Sequence, residues 1–144
     1  MDLYIIIPCY NEAKRLNKSK FIDFLNRSPQ VGLVFVDDGS KDSTLEILKQ
    51  IETECCQQVK LLRVQANKGK AAAVSAGIHY AFNQVKKKKI AYLDADLSTS
   101  LEECLSISNL VEGEIQFAFG SRILKIDNVI KRKWVRFLLG RFIA

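Results

Sequence analysis

The chain has 144 residues, with 22 Lys and Arg against 16 Asp and Glu and a net charge of +6. Its length fits one domain spanning residues 1–144, and 48% hydrophobic residues with only 7 Gly and 2 Pro exclude a disordered or low-complexity chain. No apolar run approaches the ~18–20 residues of a membrane span, the N-terminal residues lack the basic start and cleavage site of a signal peptide, and the positive excess points to nucleic acid, anionic lipid or a phosphorylated ligand.

The elements alternate along the chain. Residues 3–7 form a β-branched run that ends at Pro8, and a weak helical pattern follows over 19–26. A second strand is predicted over 31–36, ending at Asp37-Asp38-Gly39. Ser43-Thr44-Leu45-Glu46 has the spacing of a capping box, and Leu45, Leu48 and Ile51 then repeat on one helix face. Residues 59–64 form the third strand, before Asn67-Lys68-Gly69. Residues 69–84 are alanine-rich, and small side chains of that kind let a helix pack close to a sheet. The fourth strand covers 90–93 and ends at Asp94. Ser100-Leu101-Glu102-Glu103 repeats the capping signal, a fifth strand is predicted over 115–119, and a last helix runs from about residue 128. Short, nearly continuous apolar strands alternating with helices predict an α/β fold, a mostly parallel sheet covered on both faces. In such sheets ligands bind beyond the carboxyl ends of the strands.

Cys9, Cys55, Cys56 and Cys104 form no C-x-x-C, and they read as buried free thiols of a reducing compartment. The single histidine, His79, reads as a surface or half-buried helix residue and excludes a His-rich zinc site.

The unusual residues gather at the strand ends. Asp94-Ala95-Asp96 places two hard oxygen ligands one small residue apart, which suits Mg²⁺ or Mn²⁺ held jointly with a diphosphate. An acidic turn in which Asp96 caps the next helix fits the same spacing. Asp37-Asp38-Gly39-Ser40 offers acceptors to a nucleobase or a ribose hydroxyl, or forms an acidic turn with Gly39 at positive φ. Asn67-Lys68-Gly69-Lys70 is not a P-loop. Lysines at a helix N-terminus are disfavoured unless an anion binds there, so these read as diphosphate contacts or as solvated turn residues. The run Lys86 to Lys89 reads as a solvated connection at the opposite edge, with no aromatic interleaving for nucleic acid.

Taken in order, Ile6-Ile7-Pro8-Cys9-Tyr10-Asn11-Glu12, Val36-Asp37-Asp38-Gly39-Ser40, Asn67-Lys68-Gly69-Lys70 and Asp94-Ala95-Asp96 resemble the motifs of family 2 glycosyltransferases with the GT-A fold, a Rossmann-like nucleotide-sugar-binding fold. Phe119-Gly120-Ser121-Arg122, with Arg132 and Arg136 beyond, resembles the polyprenyl-phosphate branch, and Arg132-Lys133-Trp134-Val135-Arg136 looks closer to its dolichyl-phosphate glucosyltransferase-like members.

The resemblance implies an inverting, metal-dependent transfer from a nucleotide sugar to a polyprenyl phosphate. It implies that Pro8, Tyr10, Asn11, Glu12 and Asp38 line the nucleotide pocket, with Asp37 in support. Asn67, Lys68, Gly69 and Lys70 would lie near the donor phosphates, and Asp94, Ala95 and Asp96 at the donor, the two carboxylates holding Mg²⁺ or Mn²⁺. Arg122, Arg132 and Arg136 would face the donor diphosphate or the acceptor phosphate. Family catalytic regions extend further, so the donor half is expected here and the acceptor half incomplete.

A divalent cation and arginines stabilise charge on a departing nucleoside diphosphate. A lipid phosphate is already an anionic nucleophile, whereas a hydroxyl needs a general base. The chain has no clear downstream Glu-Asp pair for such a base and no Gln-x-x-Arg-Trp motif, which favours the phosphate. A saccharide hydroxyl acceptor and a non-catalytic donor-binding fragment are the alternatives. From Arg122 onward stand seven basic residues and one acid, and seven less one accounts for the whole excess of +6. That segment suits lipid phosphates and the cytoplasmic face of a membrane, with peripheral contact and no nucleic-acid partner.

Overall fold

The computed structural model describes residues 1–84 and 89–120. Within them the order is β1 (Leu3–Cys9), α1 (Lys18–Arg27), β2 (Val31–Asp37), α2 (Thr44–Glu54), β3 (Val59–Arg63), α3 (Lys70–Gln84), β4 (Lys89–Tyr92) and α4 (Leu101–Asn109). The four strands form a parallel sheet in the order β3-β2-β1-β4. Ile5 of β1 lies beside Leu33 of β2 and Ala91 of β4, and this register brings the carboxyl ends of all four strands to one edge.

Alternation along the strands builds two cores. Leu3, Ile5, Ile7 and Cys9, with Val31, Leu33 and Phe35, face Phe21, Phe24 and Leu25 of α1, Leu48 and Ile51 of α2, and Leu101 and Cys104 of α4. Phe21 meets Phe35 edge to face, with ring centroids 5.2 Å apart, a favoured aromatic geometry. On the other face Ile6, Val34 and Val36 meet Ala73 and Ala81 of α3. Gly77 lies midway between these alanines, where an added Cβ would stand 2.3 Å from Ile6 Cγ2. The small-residue helix therefore packs against β1 as the composition predicts.

Three expectations are corrected. Residues 115–119 are not a strand: a chain of turn hydrogen bonds runs from Leu110 to Ile115. Ile115, Phe117 and Phe119 are exposed to 53%, 78% and 75%. Apolar alternation is satisfied only against a pairing edge and a packed face, and among the described residues this segment has neither. The capping box is formed at α4, where Ser100 and Glu103 cap each other reciprocally, but Ser43 makes no side-chain cap at α2. Asp42, one residue earlier, takes both the backbone N–H and the hydroxyl of Thr44. The thiols are free, yet only Cys9 and Cys104 are buried, Cys55 is half-buried, and Cys56 is exposed at the loop after α2. His79 is exposed on α3, as expected. The predicted helix from residue 128, Lys86 to Lys88, and Arg122, Arg132 and Arg136 lie outside the described residues. No described helix is long and apolar enough to cross a membrane.

Candidate functional site

A cleft of about 360 Å³ opens at the carboxyl edge of the sheet. Pro8, Tyr10 and Glu12 enter it from the end of β1, and Asp38 from β2. Asn67, Gly69 and Lys70 enter from the β3–α3 connection, and Asp94, Ala95 and Asp96 follow β4. Asn11, Asp37 and Lys68 do not line it. Cys9, Arg15 and Ala73 do, and sequence reasoning missed them.

The loop after β1 is tied to the loop after β2. The Asn11, Glu12 and Ala13 N–H groups donate to Ser40 Oγ, Thr44 Oγ1 and Asp42 Oδ2 at 3.0, 2.8 and 3.2 Å. In return Lys41 N–H donates to Asn11 Oδ1 at 2.8 Å. Asn11 adopts φ +53°, a left-handed conformation that Asn tolerates. Its role is therefore to shape the loop that presents Glu12. The Thr44 hydroxyl beside Asp42 holds that carboxyl below its ordinary value of 3.8.

The paired aspartates of β2 divide their work. Asp37 is fully buried, accepts from Ser40 N–H at 3.2 Å, and has the Arg63 guanidinium 3.8 Å from its other oxygen. Asp38, 3% exposed, accepts from Lys68 N–H at 2.9 Å and Gly69 N–H at 2.8 Å. Both Asp38 oxygens thus hold the β3–α3 loop, which turns the Asp-Asp-Gly motif into a clamp as well as a cleft wall. Gly39 follows at φ +74°, with Ala66 and Asn67 backbone 3.1–3.3 Å from where a Cβ would be. That combination of positive φ and close backbone is available to glycine alone.

Opposite stand Asp94 and Asp96. Asp94 Oδ1 accepts from Tyr92 OH at 2.5 Å and from Lys70 Nζ at 2.6 Å. The ammonium lies 5.2 Å from the Tyr92 ring centroid, within cation–π range. The hydrogen bond to Asp94 pushes Lys70 up to about 12, and desolvation, then the bond to Asp94, raises Tyr92. Asp96 Oδ1 accepts from Ser98 N–H at 3.0 Å, and its Oδ2 lies 3.9 Å from the Arg15 guanidinium. Ser100, not Asp96, caps α4. Arg15 also pairs with Glu12 Oε1 at 2.5 Å, while the buried Glu12 Oε2 has no hydrogen-bond partner among the described residues.

Tyr92 and Arg15 each had a sequence signal. Tyr92, the last residue of β4, stands two residues before Asp94, and Arg15 stands three after Glu12. At Cys9 in the cleft, burial, with Glu12 and Asp37 adding to it, pushes the thiol far above the ordinary range, which disfavours the nucleophilic thiolate.

Asp94 and Asp96 present two exposed carboxylates, hard oxygen donors, to the cleft. Among the described residues no three metal-binding side chains converge to form a complete cage. A cation held here would share its shell with a ligand and water, the mode Mg²⁺ favours.

The family model for glycosyl transferase family 2 matches residues 4–143. The chain belongs to that family. It is 31% identical to the dolichyl-phosphate beta-glucosyltransferase of Dictyostelium discoideum, over 95% of this chain and 45% of that protein. To the human dolichyl-phosphate beta-glucosyltransferase it is 28% identical, over 96% of this chain and 46% of that one. The chain spans less than half the length of these two relatives. Residues 1–349 of Staphylococcus aureus TarS in complex with UDP superpose with a TM-score of 0.55 at 19% identity, covering 76% of this chain and 32% of that one. The Pyrobaculum calidifontis mannosyltransferase PcManGT, in complex with GDP-Man and Mn²⁺, superposes with a TM-score of 0.52 at 22% identity, covering 66% and 27%. The family 2 chain thus has the α/β fold of the GT-A type.

Proposed function

We propose that residues 1–144 form the donor-binding part of a glycosyltransferase that moves a sugar from a nucleotide sugar to a polyprenyl phosphate, with inversion at the sugar carbon. The observation that carries this reading is the convergence of Glu12, Asp38, Lys70, Asp94 and Asp96, from four strand ends, on one cleft. The relatives named for dolichyl-phosphate glucosyl transfer support the lipid acceptor.

In this reading Tyr10 and Glu12 hold the nucleoside end, with Glu12 Oε2 accepting a hydrogen bond from it. Asp38 shapes the pocket by fixing the Lys68–Gly69 backbone. α3 begins at Lys70, so its positive end and the ammonium both favour a diphosphate. Asp94 and Asp96 would hold Mg²⁺ or Mn²⁺, which when bound stabilises the charge that grows on the leaving diphosphate. Arg122, Arg132 and Arg136, outside the described residues, would neutralise the donor diphosphate or the acceptor phosphate. The acceptor phosphate oxygen would attack the sugar carbon from the face opposite the leaving group, the new C–O bond forming as the bond to the nucleoside diphosphate breaks, and because that oxygen is already anionic no proton need be removed. The basic stretch from Arg122 onward would serve peripheral contact with the cytoplasmic face of a membrane.

The test is transfer of radiolabelled sugar from UDP-glucose or GDP-mannose with Mn²⁺ and a polyprenyl phosphate. Label in the organic-extractable lipid is expected. Label only in an aqueous saccharide product would contradict the lipid acceptor, and nucleotide binding without transfer would leave a donor-binding fragment.

A further inference from the structure

We propose that Lys70 is a built-in competitor for the cation site, and that this competition couples cation binding to diphosphate binding. The proposal deepens the donor-site reading and rests on it. Lys70 Nζ lies 2.6 Å from Asp94 Oδ1, an oxygen that also accepts from Tyr92 OH at 2.5 Å. The ammonium is held a second time by the Tyr92 ring, 5.2 Å from its centroid. At Asp96 the Arg15 guanidinium stands 3.9 Å from Oδ2. A cation thus stands beside each carboxylate of the Asp94–Asp96 pair, bonded directly to Asp94 and at 3.9 Å from Asp96.

A divalent cation that takes Asp94 Oδ1 must displace the ammonium. A displaced Lys70 that stays in the cleft repels the ion that replaced it, because unit charges a few ångströms apart interact appreciably even at a protein surface. Metal alone is then opposed twice. A diphosphate removes both penalties, since its oxygens accept the released ammonium and ligate the metal at once. Lys70 is the first residue of α3 and lines the cleft, and its flexible four-carbon stem allows the move without backbone change. Tyr92 holds the ammonium in place beside Asp94. The coupling is reciprocal, so metal must tighten nucleotide by the factor by which nucleotide tightens metal.

The test is Mn²⁺ titration of the full 144-residue chain by electron paramagnetic resonance, alone and with saturating UDP or GDP. Mn²⁺ bound to nucleotide in solution is subtracted from a protein-free titration. Lys70→Gln should tighten Mn²⁺ binding in the absence of nucleotide by about 2–5-fold, the worth of an exposed ion pair. It should reduce the nucleotide-induced tightening by at least the same factor. Lys70→Arg, which keeps a cation on Asp94, should stay within about twofold of wild type on the same scale. Equal Mn²⁺ affinity in wild type and Lys70→Gln, or weaker binding in Lys70→Gln, overturns the competitor role while leaving the donor site intact. Failure of wild type to bind either nucleotide with Mn²⁺ overturns the donor-site reading and this proposal with it.

Discussion

Replacing Asp38 by alanine removes the clamp between β2 and the β3–α3 loop. The carboxylate is 3% exposed and accepts from Lys68 N–H at 2.9 Å and Gly69 N–H at 2.8 Å. Hydrogen bonds to a charged group contribute about 1.5–3 kcal/mol each. The two amides belong to a loop that is exposed at Lys68 and half-buried at Gly69, so water replaces part of what is lost. A net destabilisation of about 2–4 kcal/mol follows. Asp38→Asn keeps one acceptor and turns an NH₂ toward the other amide, so about half that loss is expected. Urea unfolding reads the difference as a lower midpoint at unchanged slope. Amide hydrogen exchange reads the local part: Lys68 and Gly69 should lose protection while Ile6 and Val34 follow only global stability. A loss under about 0.5 kcal/mol with Gly69 protection unchanged would refute the clamp, because it would place the pair in the range of ordinary surface interactions.

Two further predictions concern packing and pH. Gly77→Ala drives a Cβ to 2.3 Å from the fully buried Ile6 side chain. Overpacking of roughly 1–3 kcal/mol outweighs the ~1 kcal/mol helix gain, and Ile6→Ala in the same chain should recover part of the loss in a double-mutant cycle of thermal melts. Asp42, held below 3.8 by the Thr44 hydroxyl, is lowered in the folded state. Its stabilising contribution is therefore present above its unfolded value and is lost as pH falls through the folded one. Thr44→Val should bring the Asp42 titration, followed by carboxyl carbon NMR, back up toward 3.8. An unmoved titration would remove Thr44 as the cause.

Local pattern made most of the fold legible. The β-branched runs before Pro8 and Asp37, the small-residue face around Gly77 and the Ser100–Glu103 capping box each determine their structure from neighbours in sequence. The strand-end rule likewise gathers Tyr10, Glu12, Asp38, Asn67, Lys70 and Asp94 from sequence alone. What sequence could not show depends on partners far along the chain. Residues 115–119 carry strand-like alternation, but a strand requires an edge to pair with. Ser43 has the capping spacing, but Asp42 reaches Thr44 first. The pairing of Lys70 with Asp94 and of Arg15 with Asp96 joins side chains from different strand ends. The strand-end rule places Lys70, Asp94 and Asp96 at one edge without showing which cation meets which carboxylate, and it does not find Arg15.

The central claim is that the cleft binds a nucleoside diphosphate through Asp94 and Asp96 with a divalent cation. Calorimetric titration of the chain with UDP and with GDP, each with Mn²⁺, tests it most directly against Asp94→Ala/Asp96→Ala. Saturable binding of one nucleotide to wild type, reduced at least tenfold in the double variant or on chelation of the metal, is expected: a contact to a charged group contributes about 1.5–3 kcal/mol, and each 1.4 kcal/mol is tenfold. Equal, weak binding of both nucleotides to wild type and variant would contradict it.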